Sequence, residues 1–189
     1  MNAADTAWML ISTALVLLMT PMLAFFYGGL VRSKNALNTM MMSFISLGFV
    51  GAAWALIGYS LSFAPGSALI GDTSRALLHG VGLEPMSTIP HLLYMCYQGT
   101  FAIITAALIS GSIVERMRFS AYLLFSILWF VFVYVPLAHW IWGGGFLGAM
   151  GVLDFAGGLV VHLSAGTGGL VADAHLRRLV VDRDHVALG

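Results

Sequence analysis

From Ala7 to Val31 the chain carries no charged side chain. A run of that length is what a helix needs to cross a bilayer, where about 20 apolar residues span about 30 Å of hydrocarbon. The pattern recurs. Charges and Pro-Gly breaks divide the sequence into five such runs, at about residues 7–31, 38–64, 91–114, 119–140 and 155–172. Only 8% of the residues are charged, against about 25% in soluble domains. The expected fold is therefore an all-α polytopic membrane protein with five transmembrane helices. Its zero formal net charge reflects scarcity, with eight basic and eight acidic residues among 189. No basic patch interleaves with aromatics, so the lipid bilayer is an expected partner and nucleic acid is not.

Within these runs, Pro21 is expected to kink the first helix, and Gly28-Gly29 to mark its end or a close contact. Pro65-Gly66 should stop the second. Residues 66–90 read as an ordered extramembrane loop with one short helix near Ser74 to Leu78. Basic residues set the orientation. Arg32, Lys34, Arg116, Arg118, Arg177, Arg178 and Arg183 fall on one side and Arg75 alone on the other. The N-terminus is thus expected outside and the C-terminus in the cytoplasm. Residues 173–189 turn abruptly charged and read as a divergent cytoplasmic tail. Cys96, the single cysteine, excludes an intrachain disulfide and is expected to be buried as a small hydrophobe.

The stretch Asp154-Phe-Ala-Gly-Gly-Leu-Val-Val-His162 carries the sharpest chemistry. Asp154, Gly158 and His162 fall at i, i+4 and i+8, which places them on one helix face if the helix includes all three. Ala165, Gly166 and Gly169 extend that face. Small residues around one intramembrane histidine fit either a close helix contact or the wall of a narrow passage. An ionisable group inside a span is a candidate for function, and imidazole titrates near physiological pH. A neutral, hydrogen-bonded packing role for His162 is the plainer alternative. Asp154 opens the helix and suits an N-cap in the field of the helix dipole.

Tyr97, Phe101, Trp140 and Trp142 lie near span ends or loops, where aromatics form interfacial belts. A cation site is the other reading, because an aromatic face attracts cations by about 0.5–2 kcal/mol. Trp142 beside Gly143-Gly-Gly145 fits that reading better than most. Met19, Met22 and Met40 to Met42 read as packing. No second histidine lies at i+3 or i+4 from His162, so no metal centre is expected, and no cofactor motif is present. Paired intramembrane carboxylates and a serine nucleophile elbow are likewise missing from the sequence, and an enzyme is not expected.

Several blocks resemble the ammonium transporter (Amt/Rh) family, on the Amt side. They are Phe26-Tyr-Gly-Gly-Leu-Val-Arg-Ser-Lys-Asn35, Tyr97-Gln-Gly-Thr-Phe101, Glu115-Arg-Met-Arg-Phe-Ser120, Ala138-His-Trp-Ile-Trp-Gly-Gly-Gly145 and Asp154-Phe-Ala-Gly-Gly158 through His162. Together they cover about residues 4–172. The resemblance implies the first five-helix repeat of an eleven-helix subunit that forms homotrimers, with a PII-type cytoplasmic regulator as a further partner. It implies ammonium transport across a plasma or inner membrane, with ammonium or ammonia as substrate. In that reading Phe101 and Trp142 form the outer cation site, with Phe101 also a gate. Asp154 organises the site with support from Tyr97, and His162 is the first of two pore histidines. Ammonium would lose its proton near the vestibule, and ammonia would pass the histidine.

The resemblance fades from about Asp173-Ala-His175, and the second histidine and second gate phenylalanine belong to a half that follows in the family. A truncated form is expected on those grounds. Two other readings are an inactive fragment or assembly partner needing a separate C-terminal half, and an ammonium sensor.

Overall fold

The computed structural model describes the backbone of residues 1–187 and the side chains of residues 1–178. Helix α1 (Ala3–Leu30) opens on Asn2, whose side-chain oxygen accepts from the backbone N–H groups of Ala4 and Asp5. It persists through Pro21. Helix α2 (Ser33–Phe63) includes a π-helical turn at Trp54–Gly58. It stops at Ala64, just before Pro65-Gly66, as proline and glycine there require. The loop that follows α2 holds a 3-10 turn, Ala76–Leu78, within the stretch expected to be helical. A two-residue antiparallel hairpin follows, β1 (Pro85–Met86) with β2 (Ile89–Pro90).

Helix α3 (His91–Ile113) is the axis of the molecule. Of its most apolar window 61% is buried, against 11% for α1. Helix α4 (residues 119–141) joins Phe119–Trp129 to Val135–Ile141 through a second π turn, Phe130–Tyr134. Helix α5 (Phe146–Ala149) is one turn. Helix α6 (residues 158–187) begins with a third π turn, Gly158–Leu163, and continues as Ser164–Ala187.

Among the described residues, four helices are long and apolar enough to cross a membrane, namely α1, α2, α3 and the helix beginning at Phe119. Five were expected. The fifth candidate, α6, carries Gly166, Thr167, Gly168, Gly169 and Asp173 and falls short on composition. The backbone of the charged segment is helical, α6 running unbroken through residue 173 to Ala187. The last two residues of the expected tail lie outside the described backbone. Cys96 also departs from expectation, being exposed. Met95 and Gly99 take up the buried face of α3, and one residue further round the helix the thiol points away from them.

The first two π turns meet in an aromatic core. The Trp54 ring lies edge-on to Tyr59, Phe63, Phe130 and Tyr134 at centroid separations of 5.8–6.4 Å. Its indole N–H donates to the Met95 carbonyl at 3.1 Å. Two glycines make room: a Cβ at Gly58 would meet Phe130 Cζ at 2.5 Å, and one at Gly99 would meet Trp54 Cδ1 at 2.8 Å. A π turn inserts an extra residue and rotates the helix beyond it, which lets α2 and α4 present these rings to each other. Gly28 plays the expected close-contact role, since a Cβ there would meet Met40 Cγ at 2.7 Å. Buried hydroxyls between α2 and α3 are satisfied locally, as where Ser43 meets Ser110 at 3.2 Å.

Two polar clusters fasten the ends. On the loop side, His91 links two neighbours, its Nδ1 lying 3.0 Å from the Glu84 carboxylate and its Nε2 2.6 Å from the buried Tyr59 hydroxyl. At the opposite end, Arg32 forks onto Glu115 through Nε (3.1 Å) and Nη2 (2.8 Å), and Asn35 Nδ2 adds a bond of 2.6 Å. Arg116 pairs with Asp173, which also accepts from Arg177 at 2.8 Å. Asp173 is therefore held by the α3–α4 turn.

Hydrogen bonds from Arg32 first, then Asn35, lower the Glu115 carboxyl from 4.5 to about 2. A group whose folded value is depressed contributes stability above its unfolded value and loses it as pH falls through the folded one. The tie is thus complete above about pH 4.5 and fades toward pH 2. Glu115→Gln is expected to speed amide hydrogen exchange in residues 114–118 at pH 7. The difference from the parent should shrink as pH approaches 2.

Candidate functional site at the start of α6

Asp154 stands four residues ahead of α6 and not within it. The left-handed Gly157 (φ 86°) separates them, so the single face through Asp154, Gly158 and His162 does not form. What forms is a cap. Oδ1 of Asp154 accepts from the N–H groups of Gly157 (2.7 Å) and Gly158 (2.8 Å), and Oδ2 from those of Leu159 and Val160, both 2.9 Å. All the donors that open the helix converge on one carboxylate. Burial acts to raise the Asp154 carboxyl, but the four N–H bonds outweigh it and hold it below the ordinary carboxylate value. A fixed negative charge therefore sits at the positive end of α6.

The backbone of Asp154 carries the next link. Its carbonyl accepts from Trp142 Nε1 at 2.8 Å. Trp142 in turn meets Phe101 edge-on at 5.9 Å, and Phe101 meets Tyr97 at 5.0 Å. Four residues singled out from the sequence are thus joined in one line, all of them half-buried. Gly157 lets the line close, since a Cβ there would meet Val161 Cγ2 at 2.5 Å and Trp142 Cη2 at 3.7 Å. Trp140 belongs elsewhere: its N–H donates to the Leu69 carbonyl at 2.8 Å.

His162 lies deeper, where two cavities meet. The outer one is a groove of about 470 Å³ reached by Phe101 and walled by Leu15, Met19, Met22 and Phe26 of α1. The inner one, about 280 Å³, is lined by Tyr27, Ser112, Ala165, Gly166 and Gly169. The expected small-residue face from His162 to Gly169 is therefore present and bounds open space. The imidazole is exposed on this groove and has no hydrogen-bond partner among the described side chains. Met19 and Met22 wall the groove with exposed side chains, whereas Met42 is fully buried as packing.

Two contributors stood out less in the sequence. Tyr27 lies in the Phe26–Asn35 block, and its hydroxyl donates to the Leu108 carbonyl at 3.0 Å beside the inner cavity. His139, 2% exposed, faces the carbonyls of Ser62 (3.0 Å, Nδ1) and Ser67 (2.9 Å, Nε2). It pins the loop after α2 over the turn that carries Trp142. A histidine beside a tryptophan gives no sign of which carbonyls it will reach.

The described geometry has close counterparts. The Ammonium Transporter Family matches residues 7–183, continuing past residue 172. An ammonium transporter of Bacillus subtilis is 56% identical over 174 residues, covering 90% of this chain and 43% of that protein. Amt1 of Archaeoglobus fulgidus, also named an ammonium transporter, is 50% identical over 88% of this chain and 41% of its own length. Among solved structures, Saccharomyces cerevisiae Mep2 superposes with a TM-score of 0.83 at 38% identity, over 90% of this chain and 39% of that one. The chain spans about two-fifths of the length of the relatives it matches.

Proposed function

The chain belongs to the ammonium transporter family, and we propose on that footing that it supplies the outer cation site and one wall of an ammonium-conducting pore. The observation that supports this reading most is the line from Asp154 through Trp142 and Phe101 to the groove that holds His162. Trp142 and Phe101 offer π faces to a cation, the charge of Asp154 biases the site toward positive ligands, and Tyr97 braces Phe101. Beyond Phe101 the walls are hydrocarbon, where a bare cation is costly. A neutral ammonia needs only a hydrogen-bond partner along the way, and His162 supplies one that can also relay a proton.

The reading includes five membrane crossings, with α6 as the fifth, the N-terminus outside and the C-terminus in the cytoplasm of a plasma or inner membrane. The basic residues of the Arg32, Arg116 and Arg177 segments on one side support that orientation. Homotrimer formation and a PII-type regulator at the cytoplasmic ends are part of the same proposal.

A second reading, an assembly partner for a separate helical half, is favoured by the exposed and unpartnered His162 on its apolar groove. The two are separated by uptake of labelled methylammonium in a transporter-deficient strain. Uptake with the chain alone supports a self-sufficient conductor, and uptake only on co-expression with the C-terminal half of a relative supports an assembly partner. In whichever arrangement conducts, His162→Ala is expected to bring uptake to background. Undiminished uptake in that variant would sink the pore assignment.

A further inference from the structure

Outside the Asp154–His162 line, the structure places a second carboxylate against aromatic rings. Asp5 and Trp8 stand one turn apart on α1, and Tyr94 and Tyr97 stand one turn apart on α3. All four line one cavity of about 520 Å³, floored by the β1–β2 hairpin from Met86 to Ile89. The hairpin is tied to the start of α1 by a 2.7 Å bond from the Asn2 N–H to the Thr88 carbonyl.

The helix start does not require Asp5 as a cap, because the Asn2 side chain already accepts the Ala4 and Asp5 N–H groups. The Asp5 carboxylate has neither a hydrogen-bond nor an ion-pair partner among the described residues, and Trp8 is 73% exposed. An unpaired, half-buried carboxylate that shares a cavity with an indole and two phenol rings is the composition that recognises an organic ammonium ion: aromatic rings for the alkyl-bearing cation, one charge to balance it. The cavity is also far larger than ammonium requires.

We propose that this cavity is a binding site for alkylated ammonium cations, up to quaternary ones. It differs from the Phe101–Trp142 site in location and in the size of its ligand. Tyr97 is shared, lining this cavity and meeting Phe101 at 5.0 Å. A bulky cation held here therefore stands directly beside the line proposed to recruit ammonium. Only this consequence, competition with ammonium, rests on the proposed function; the binding itself does not.

The test uses the full chain in lipid nanodiscs, titrated with tetramethylammonium chloride while tryptophan fluorescence is followed, with sodium chloride as the ionic-strength control. Saturable quenching is expected, lost in Trp8→Phe and kept in Trp142→Phe. Asp5→Asn should weaken the apparent affinity about threefold or more through loss of a partly screened charge. Tyr94→Leu, read through the retained Trp8, should weaken it about threefold or more through loss of a π face. Unchanged thermal midpoints confirm that the variants are folded. The proposal is overturned if quenching survives Trp8→Phe, if it vanishes in Trp142→Phe, or if neither Asp5→Asn nor Tyr94→Leu alters the affinity. Failure of methylammonium uptake would count against the proposed function and leave this binding result untouched.

Discussion

Asp154→Ala is expected to lower the thermal midpoint in detergent and to shift the Trp142 emission, by unfastening the first turn of α6. The substitution leaves the N–H groups of Gly157, Gly158, Leu159 and Val160 without their acceptor. Loss of a helix cap together with stranded donors costs about 2 kcal/mol or more. The turn also carries the carbonyl that Trp142 holds, so the indole loses its fixed position and binding at the proposed cation site is expected to fall with stability. Asp154→Asn gives the control. It keeps one acceptor oxygen and the side-chain shape, and loses the charge. It is expected to melt between the parent and the alanine variant while binding cations as poorly as the latter. An alanine variant that melts with the parent would refute the capping role, and an asparagine variant with parental affinity would refute the electrostatic one.

Gly143→Ala should be the most damaging change of a single methyl group in the chain. A Cβ at this position would run into the Ser62 carbonyl oxygen, with the His139 Cα at 2.9 Å and Nδ1 at 3.0 Å. The obstacles are backbone and a ring fixed between two carbonyls, so nothing nearby can swing aside. Overpacking of that kind costs about 3 kcal/mol, and here it pushes the end of α2 and its following loop away from the turn that positions Trp142. The contrasting substitution is Gly29→Ala. Gly29 lies within α1 with no atom in reach of an added Cβ, and alanine there should be stabilising by about 0.5–1 kcal/mol. Thermal unfolding of both variants in one detergent checks the pair. Equal midpoints would show that the Gly143 backbone moves more freely than its contacts imply.

The spans were legible because their limits are written in residues that hydrocarbon rejects. His91 and Phe119 begin helices where the reading placed them, and Pro65-Gly66 follows the end of α2. What escaped was geometry that periodicity does not carry. The i, i+4, i+8 spacing of Asp154, Gly158 and His162 invited a continuous face, yet Gly157 takes a left-handed conformation that puts the acid before the helix. Residue spacing cannot announce a π turn, because the extra residue is accommodated by a ring such as Trp54 or Phe130 supplied from a distant segment. The same holds for Asp173. Its charge signalled an end to the membrane helix, whereas Arg116 receives it and α6 continues. Residue types single out Trp142, Phe101, Asp154 and His162 as candidates. Only the fold shows that Trp142 is fastened to Asp154 and that His162 faces open space.

The cap on α6 has a further consequence. A carboxylate offers about four lone-pair sites, and Asp154 has already committed four bonds to backbone N–H groups. It retains no vacancy for a direct ligand. An arriving cation would feel its field without coordinating to it, and would be cradled by the weaker faces of Trp142 and Phe101. A bare carboxylate would hold its guest tightly and release it slowly. A saturated one attracts and then lets go, which is the property a conducting site needs.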